Sequence, residues 1–255
     1  MSKSKPAAKA PATTVSGISA AELGALLSQA GISKVVMIRH ANAAPRDPDA
    51  AAAELGVVKP NTPHANAWTV GDLTRALTDK GQEQAAAAKG WLDRHAVKAA
   101  IASEAIRATA TRDIMLKGRE PFGQLTLHTL HPARSGTPEC EKMFDTLGYG
   151  TLNTYYSNTT VEGCEGRGKA IFRNYMDKVT GELHELISEG KADFPPEGDT
   201  VAVFGHAVFL NAVSVAIGEA MSIPNADEVV AGMELGATQV IMCDAGAKSI
   251  TLCSA

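Results

Sequence analysis

Two histidines each follow a short apolar run, and their surroundings suggest phosphate chemistry. His40 comes directly after Arg39, at the end of the apolar run at residues 35–38, and His206 lies just beyond a second run at residues 200–204. Runs of this length and composition are typical of buried parallel strands. Ligands bind at the carboxyl ends of such strands. The two imidazoles therefore predict one shared pocket, and the arginine predicts an anionic ligand, most simply a phosphate.

A third apolar run, at residues 99–102, leads into a helix with a further candidate arginine. Ser103 is placed to cap this helix, and Arg107 then lies one turn in, near the positive end of the helix dipole, where anions bind. Each residue also has an ordinary structural interpretation. A lone histidine at a strand end is often a hydrogen-bonded structural residue, and a lone helical arginine is often solvated.

Four motifs, in order along the chain, resemble those of the histidine phosphatase superfamily, which has the phosphoglycerate mutase-like fold. Arg39-His40 matches the family's Arg-His-Gly, although Ala41 replaces the glycine. The later matches are Leu77-Thr78-x-x-Gly81 with Arg75 before it and Gln84-Ala85 after it, Ser103-x-x-x-Arg107-Ala108-x-x-Thr111, and Gly205-His206.

The resemblance implies a division of roles among these residues. It makes His40 the nucleophile that accepts the phosphoryl group and releases it to water. Arg39, Arg107 and His206 would hold the phosphate, and His206 would also stabilise charge in the transition state. The family uses no metal and no cofactor, and the sequence offers no typical Mg²⁺ carboxylate cluster.

The acid that protonates the leaving group is less clearly marked. The family's acid follows the third strand, so Glu139 and Glu141 are the candidates, with Asp145 behind them. Glu139 is preferred, although an acid at a helix start is also ordinary dipole complementation. Arg134 could add a donor, although a solvated loop position is the simpler interpretation.

The function predicted is that of a metal-independent phosphatase acting on a phosphoester or a phosphoramidate. Its substrate would be a phosphorylated small molecule or a phosphohistidine protein. The stretch at residues 41–46 lacks the mutase signature, so a phosphoglycerate mutase is not expected, and the small phosphohistidine phosphatase branch is the nearer resemblance. Two alternatives stay open: a catalytically weak phosphate-binding or signalling module, and a metal site formed by His40, His128, His131 and His206.

The predicted elements alternate between strands and helices, which favours an α/β fold: a three-layer α/β/α sandwich around a mostly parallel sheet. Ser19 and Glu22 have capping-box spacing at the start of the first helix. A long loop over residues 43–71 contains His64 and Trp68, either of which could contact substrate. The other predicted elements are helices at 78–94, 103–116, 140–148, 165–189 and 207–217, a strand at 125–130, a loop at 131–139, and a hairpin of strands at 239–243 and 249–253.

Composition limits the classes of partner and the compartment. The 24 basic and 28 acidic residues give a net charge of −4, which argues against nucleic acid or a membrane surface as partner. No signal peptide or transmembrane helix is indicated, and the four cysteines form no Cys-x-x-Cys pair, so reduced thiols in the cytoplasm are expected. Residues 1–17 predict a disordered tail, with an organelle-targeting peptide as the alternative, and residues 18–255 predict a single domain. Oligomeric state is left open.

Overall fold

The computed structural model describes residues 17–44, 72–119 and 123–255. The predicted tail, apart from residue 17, lies outside the described residues. So does most of the predicted loop at 43–71, including His64 and Trp68.

A six-stranded sheet forms the centre of the molecule, and its strand order is β3-β2-β4-β1-β5-β6. The four strands β3, β2, β4 and β1 run parallel, and β5 and β6 are antiparallel to their neighbours. The predicted C-terminal hairpin is therefore confirmed. The strands are β1 Lys34–Arg39, β2 Val97–Ala102, β3 Gly123–Thr126, β4 Thr200–Gly205, β5 Val240–Asp244 and β6 Ser249–Cys253.

Helices cover both faces of this sheet, which confirms the predicted three-layer α/β/α arrangement. α2 and α3 pack together on one face, and α1, α6 and α7 pack together on the other. The helices are α1 Ala20–Gln29, α2 Asp79–Leu92, α3 Ile106–Met115, α4 Pro138–Leu147, α5 Leu152–Tyr156, α6 Gly168–Gly190, α7 Phe209–Ala220 and α8 Ala226–Ala231.

The buried residues of β1 show why this chain forms a two-sided sheet. Val35 and Met37 enter the core on the α1 and α7 side, whereas Val36 and Ile38 enter the smaller core beneath α2 and α3. Successive side chains of a strand point to opposite faces. A continuous apolar run is therefore what a strand covered by helices on both faces requires.

Local signals set the boundaries of the first two helices. Ser19 caps α1, with both hydrogen bonds of the capping box to Glu22 present, as predicted. Gly31 follows the helix with φ of +66°, in the left-handed region that glycine adopts without strain. Thr78 caps α2, where its side-chain hydroxyl accepts a hydrogen bond from the Gly81 amide.

Two predicted boundaries are wrong. β3 ends at Thr126 rather than at residue 130, because its partner β2 ends at Ala102, which pairs with Thr126. The chain then forms a 3₁₀ turn at His128–Leu130. Ser103 does not cap α3, because the helix begins at Ile106 and its N-cap, Ala105, has no side-chain bond.

The four cysteines are all free thiols. Among the described residues, no helix combines the length and the apolar character needed to cross a bilayer.

Candidate active site

The ends of three neighbouring parallel strands bring the predicted histidines together. His40 follows β1 and His206 follows the adjacent β4, and the His40 amide donates to the Gly205 carbonyl over 3.0 Å. Ser103 follows β2 on the other side of β4, and its amide donates to the Phe204 carbonyl over 2.9 Å. The rings of His40 and His206 lie 5.1 Å apart between centroids. Topology alone therefore assembles these side chains at the carboxyl edge of the sheet.

Arg107 joins the two imidazoles. It lies in the first turn of α3 and its side chain is 1% exposed. Its Nε donates to His40 Nε2 over 3.3 Å, and its Nη2 donates to His206 Nδ1 over 3.1 Å. A fully buried guanidinium so placed supplies fixed positive charge to any anion in the pocket.

The hydrogen bonds of His40 fix its tautomer. Nδ1 lies 2.7 Å from the carbonyl oxygen of Ala41, and a carbonyl only accepts, so Nδ1 carries the proton. Nε2 is then the unprotonated nitrogen, and its electron pair accepts the hydrogen bond from Arg107. Burial lowers the pKa of His40 to about 3, with a further contribution from the charge of Arg107. The imidazole is therefore neutral at ordinary pH, which is the state a nucleophile requires.

His206 is held in the opposite tautomer. Because Arg107 can only donate, Nδ1 of His206 accepts, and Nε2–H donates to Ser103 Oγ over 3.1 Å. Burial, followed by the charge of Arg107, holds the pKa of His206 well below its usual value. Ser103 thus orients His206 instead of capping α3.

The motif Leu77-Thr78-x-x-Gly81 supports the segment that follows His40. Thr78 Oγ1 donates to the side chain of Asn42 over 2.7 Å, and its amide donates to the Asn42 carbonyl over 3.1 Å. A Cβ on Gly81 would lie 1.9 Å from that same carbonyl oxygen, so only glycine lets α2 approach this backbone. From α3, Thr111 Oγ1 accepts a hydrogen bond from the Ala41 amide over 3.0 Å. The two motifs therefore clamp the nucleophile segment from both sides.

Three further residues belong to the cluster. The sequence does not single out Asp72, it marks Arg75 only beside the motif at residues 77–81, and it groups His131 with His40 and His206 only in the metal-site alternative. Asp72, which is 1% exposed, places Oδ2 2.9 Å from Nη2 of Arg107 and 2.7 Å from Nε2 of His131. Its Oδ1 accepts from Arg75 Nη1 over 2.9 Å. His131 is fully buried, and its ring lies 5.0 Å from that of His206. The available sequence signals were the spacing of Asp72 and Arg75 by three residues and the position of His131 directly after the predicted strand at 125–130.

Arg39 is the last residue of β1 and directly precedes His40. Its Nη1 donates to the carbonyl of Leu235 over 2.9 Å, and its guanidinium carbon lies 4.7 Å from the centroid of the Tyr149 ring. Within the described residues its Nε is buried and has no hydrogen-bond partner. A buried donor without a partner is costly, so Arg39 retains capacity to bind an anion.

The structure does not bring the predicted acid into the cluster. Glu139 is exposed in the first turn of α4 and makes no hydrogen bond with His40, Arg107 or His206. Glu141 instead accepts from Ser135 Oγ over 3.1 Å and from the Gly136 amide over 3.2 Å.

The other two candidates from the sequence are Arg134, as an additional donor, and Asp145, as an alternative acid. Arg134 pairs with Glu104 over 2.7 Å, and Glu104 also contacts the exposed His128 over 2.9 Å. Asp145 lines a cleft of about 320 Å³ together with Arg75, Phe144, Gly148 and Tyr149. Within ranges 17–44, 72–119 and 123–255, no three His, Cys, Asp or Glu side chains are grouped so that they could hold a metal ion.

The sequence matches no family model and no curated protein. Its structure is similar to several solved structures of phosphatases. The alpha-ribazole phosphatase from Shigella flexneri is 16% identical, with 87% of this chain and 95% of that chain covered and a TM-score of 0.47. A phosphoserine phosphatase from Entamoeba histolytica is 16% identical, with 87% and 95% covered and a TM-score of 0.45.

A third similar structure is that of a protein histidine phosphatase. The protein histidine phosphatase SixA, complexed with tungstate, is 14% identical, with 86% of this chain and 94% of that chain covered and a TM-score of 0.40. These likenesses are distant, and each has a TM-score below 0.5.

Proposed function

We propose that this protein is a metal-independent phosphatase in which His40 forms a phosphohistidine intermediate. The observation that best supports the proposal is the state of His40. Its Nε2 electron pair is unprotonated because Nδ1–H is held by the Ala41 carbonyl, and it lies beside the buried guanidinium of Arg107. A neutral imidazole next to fixed positive charge is suited to attack a phosphorus atom.

The reaction has two displacements. Nε2 of His40 attacks phosphorus, and the bond from phosphorus to the leaving oxygen or nitrogen breaks with its electron pair. Water then attacks the phosphohistidine, the P–N bond breaks, and His40 recovers its electron pair. One proton of the water stays on the phosphate, and the other balances the proton that the departed leaving group takes up. Guanidinium groups on Arg107 and Arg39 neutralise the charge of the transferring group, which is the main requirement in phosphoryl transfer.

His206 is proposed to change its protonation state when substrate binds. In the described arrangement its Nδ1 accepts from Arg107. A dianionic phosphate nearby raises the pKa of an imidazole, so that Nδ1 can take up a proton and donate to a phosphate oxygen. His206 then acts as a third donor.

Glu139 stays the proposed acid for leaving groups that need a proton. Because it is exposed and makes no hydrogen bond with the cluster, we expect faster turnover of substrates whose leaving group departs easily, such as aryl phosphates and phosphohistidine. The same observation favours the second candidate function, a phosphate-binding module with weak turnover on alkyl esters.

Hydrolysis of p-nitrophenyl phosphate tests the proposal and separates the two candidates. We expect wild-type turnover, and a loss of several orders of magnitude in kcat for His40→Ala. His128→Ala is the control, because its imidazole is exposed and pairs with Glu104. A folded His40→Ala protein with near-normal turnover contradicts the assignment, and a wild-type protein that binds phosphate without turnover supports the binding module.

A further inference from the structure

The carboxylate of Asp72 is bound as an anionic ligand would be. Arg107 and His131 both donate to its Oδ2, and Arg75 donates to its Oδ1, at distances of 2.7–2.9 Å. All of these donors come from other positions in the sequence and converge on a buried point beside the two catalytic histidines. Two guanidinium groups and an imidazole N–H form the type of donor set that binds phosphate oxygens.

Arg107 cannot donate two hydrogen bonds to a phosphate while the Asp72 carboxylate remains bound to it. A guanidinium has five N–H hydrogens. Four are used: one on His40 Nε2, one on the Asp72 carbonyl, one on Asp72 Oδ2 and one on His206 Nδ1. The electron pair of His40 Nε2, which must attack phosphorus, is itself directed at Arg107. The described arrangement is therefore a resting state that has to open before substrate binds.

His131 is fixed independently of Asp72. The amide of Ala133 donates to its Nδ1 over 3.3 Å within the turn Pro132–Arg134, so Nε2 carries the proton. Its ring also packs edge-on against His206. When the carboxylate departs, the Nε2–H of His131 remains pointed at the vacated position, where a buried donor without a partner is unfavourable.

On the basis of the proposed function, which places the substrate phosphate at His40 and Arg107, we propose that His131 is a phosphate-binding residue and that the Asp72 carboxylate holds the position of a phosphate oxygen in the unliganded protein. Substrate binding then exchanges one anion for another on the same donors. Asp72 competes with the substrate phosphate for these donors. His131 donates to Asp72 in the unliganded protein and to the phosphate in the complex.

A double-variant comparison of inorganic phosphate binding, measured by calorimetry, tests this inference. Asp72→Asn keeps the size of the side chain and removes its charge, so we expect phosphate to bind at least about tenfold more tightly. In the Asp72→Asn background, His131→Leu should then weaken binding about tenfold, as expected for loss of a hydrogen bond to a charged group. If His131 only supports Asp72, the same substitution leaves the Kd within twofold in that background, and the inference is overturned.

Glu104→Gln is the matched control for the loss of one nearby negative charge, because Glu104 pairs with Arg134 and His128 instead of Arg107. Tightening by Glu104→Gln equal to that of Asp72→Asn overturns the competition. Failure of the Asp72→Asn protein to bind phosphate overturns the inference as a whole.

A measurement on the wild-type protein covers the case in which His131→Leu does not fold. Imidazole NMR should show the Nε2 proton of His131 shifting when phosphate is added, while remaining protected from exchange. An unchanged signal at saturating phosphate contradicts the inference. Neither experiment requires attack by His40, so absence of turnover would count against the proposed function alone.

Discussion

The buried imidazoles predict that the protein loses stability as the pH falls below neutrality. His40 and His206 are 4% and 0% exposed, and burial, reinforced by Arg107, lowers the pKa of both. In the unfolded chain a histidine has a pKa of about 6.5. Between that value and the lowered folded pKa, the unfolded state binds more protons. Stability therefore decreases as pH falls.

The size of the effect follows from the shift of His40. With a folded pKa of about 3, lowering the pH from 7.5 to 5.5 removes roughly 1.4 kcal/mol from the free energy of unfolding. His206, whose pKa is well below its usual value, contributes about the same, so the two together remove about 3 kcal/mol. His131, whose pKa burial also lowers, acts in the same direction.

The carboxyl groups of Asp199 and Asp227 do not contribute in this pH range. The pKa of Asp199 is lowered to about 2, because hydrogen bonds from Lys34 and Ser33 outweigh the effect of burial. The pKa of Asp227 is lowered in the same sense, since bonds that include one from Lys169 outweigh burial. The stability that a lowered carboxyl pKa supplies is lost only as pH falls below about 4, outside the range used here.

Urea denaturation, followed by tryptophan fluorescence at pH 7.5 and 5.5, measures the effect. We expect His40→Gln and His206→Gln each to reduce the pH-dependent loss by about 1.4 kcal/mol, because a glutamine has no proton to gain. His128→Gln, at an exposed position, controls for the removal of an imidazole from the surface. If both buried variants lose as much stability as the wild type over this range, the two imidazoles are not buried in their neutral form.

Three further predictions concern the nucleophile segment, the acid and metal dependence. Gly81→Ala should destabilise the protein by about 1–3 kcal/mol and reduce activity, because its Cβ would meet the Asn42 carbonyl, whereas Gly90→Ala, in open space on the same helix, should stabilise it by up to about 1 kcal/mol in urea titrations. Glu139→Gln should slow hydrolysis of an alkyl phosphate by roughly 10²-fold or more and hydrolysis of p-nitrophenyl phosphate only slightly. Glu141→Gln should leave both rates nearly unchanged. Equal losses from the two variants, or a loss from Glu141→Gln alone, would contradict the assignment of Glu139 as the general acid. EDTA should leave p-nitrophenyl phosphate turnover unchanged, and activity that disappears in EDTA and returns with added metal would refute metal independence.

The parts of the site that lie next to strand ends could be predicted from the sequence. Arg39-His40 and Gly205-His206 each follow an apolar run, and parallel strands carry whatever follows them to one edge. Arg107 could be predicted for a related reason, since it begins a helix just after β2. In each case one short stretch of sequence predicts the strand or helix and also includes the functional residue that it positions.

The parts that depend on long-range packing could not be predicted. The metal-site alternative groups His131 with His40 and His206, but nothing in the sequence connects His131 with Asp72, which lies 59 residues earlier and contacts it in the buried cluster. Ser103 has the sequence signature of a helix cap, but its hydroxyl oxygen accepts a hydrogen bond from Nε2–H of His206, which comes 103 residues later. The end of β3 is set by the length of its partner β2. The alternating pattern of residues 125–130 contains no information about that length.

Trapping the phosphorylated enzyme tests the central claim most directly. Wild-type protein mixed with p-nitrophenyl phosphate, quenched in alkaline detergent and digested for mass spectrometry should carry one phosphoryl group on the peptide containing His40. That group should be stable in alkali and lost in acid, as a phosphoramidate is, and it should be missing from the His40→Ala protein. Turnover without a phosphorylated peptide, or a phosphoryl group on another residue that survives acid, would contradict the assignment of His40 as the nucleophile.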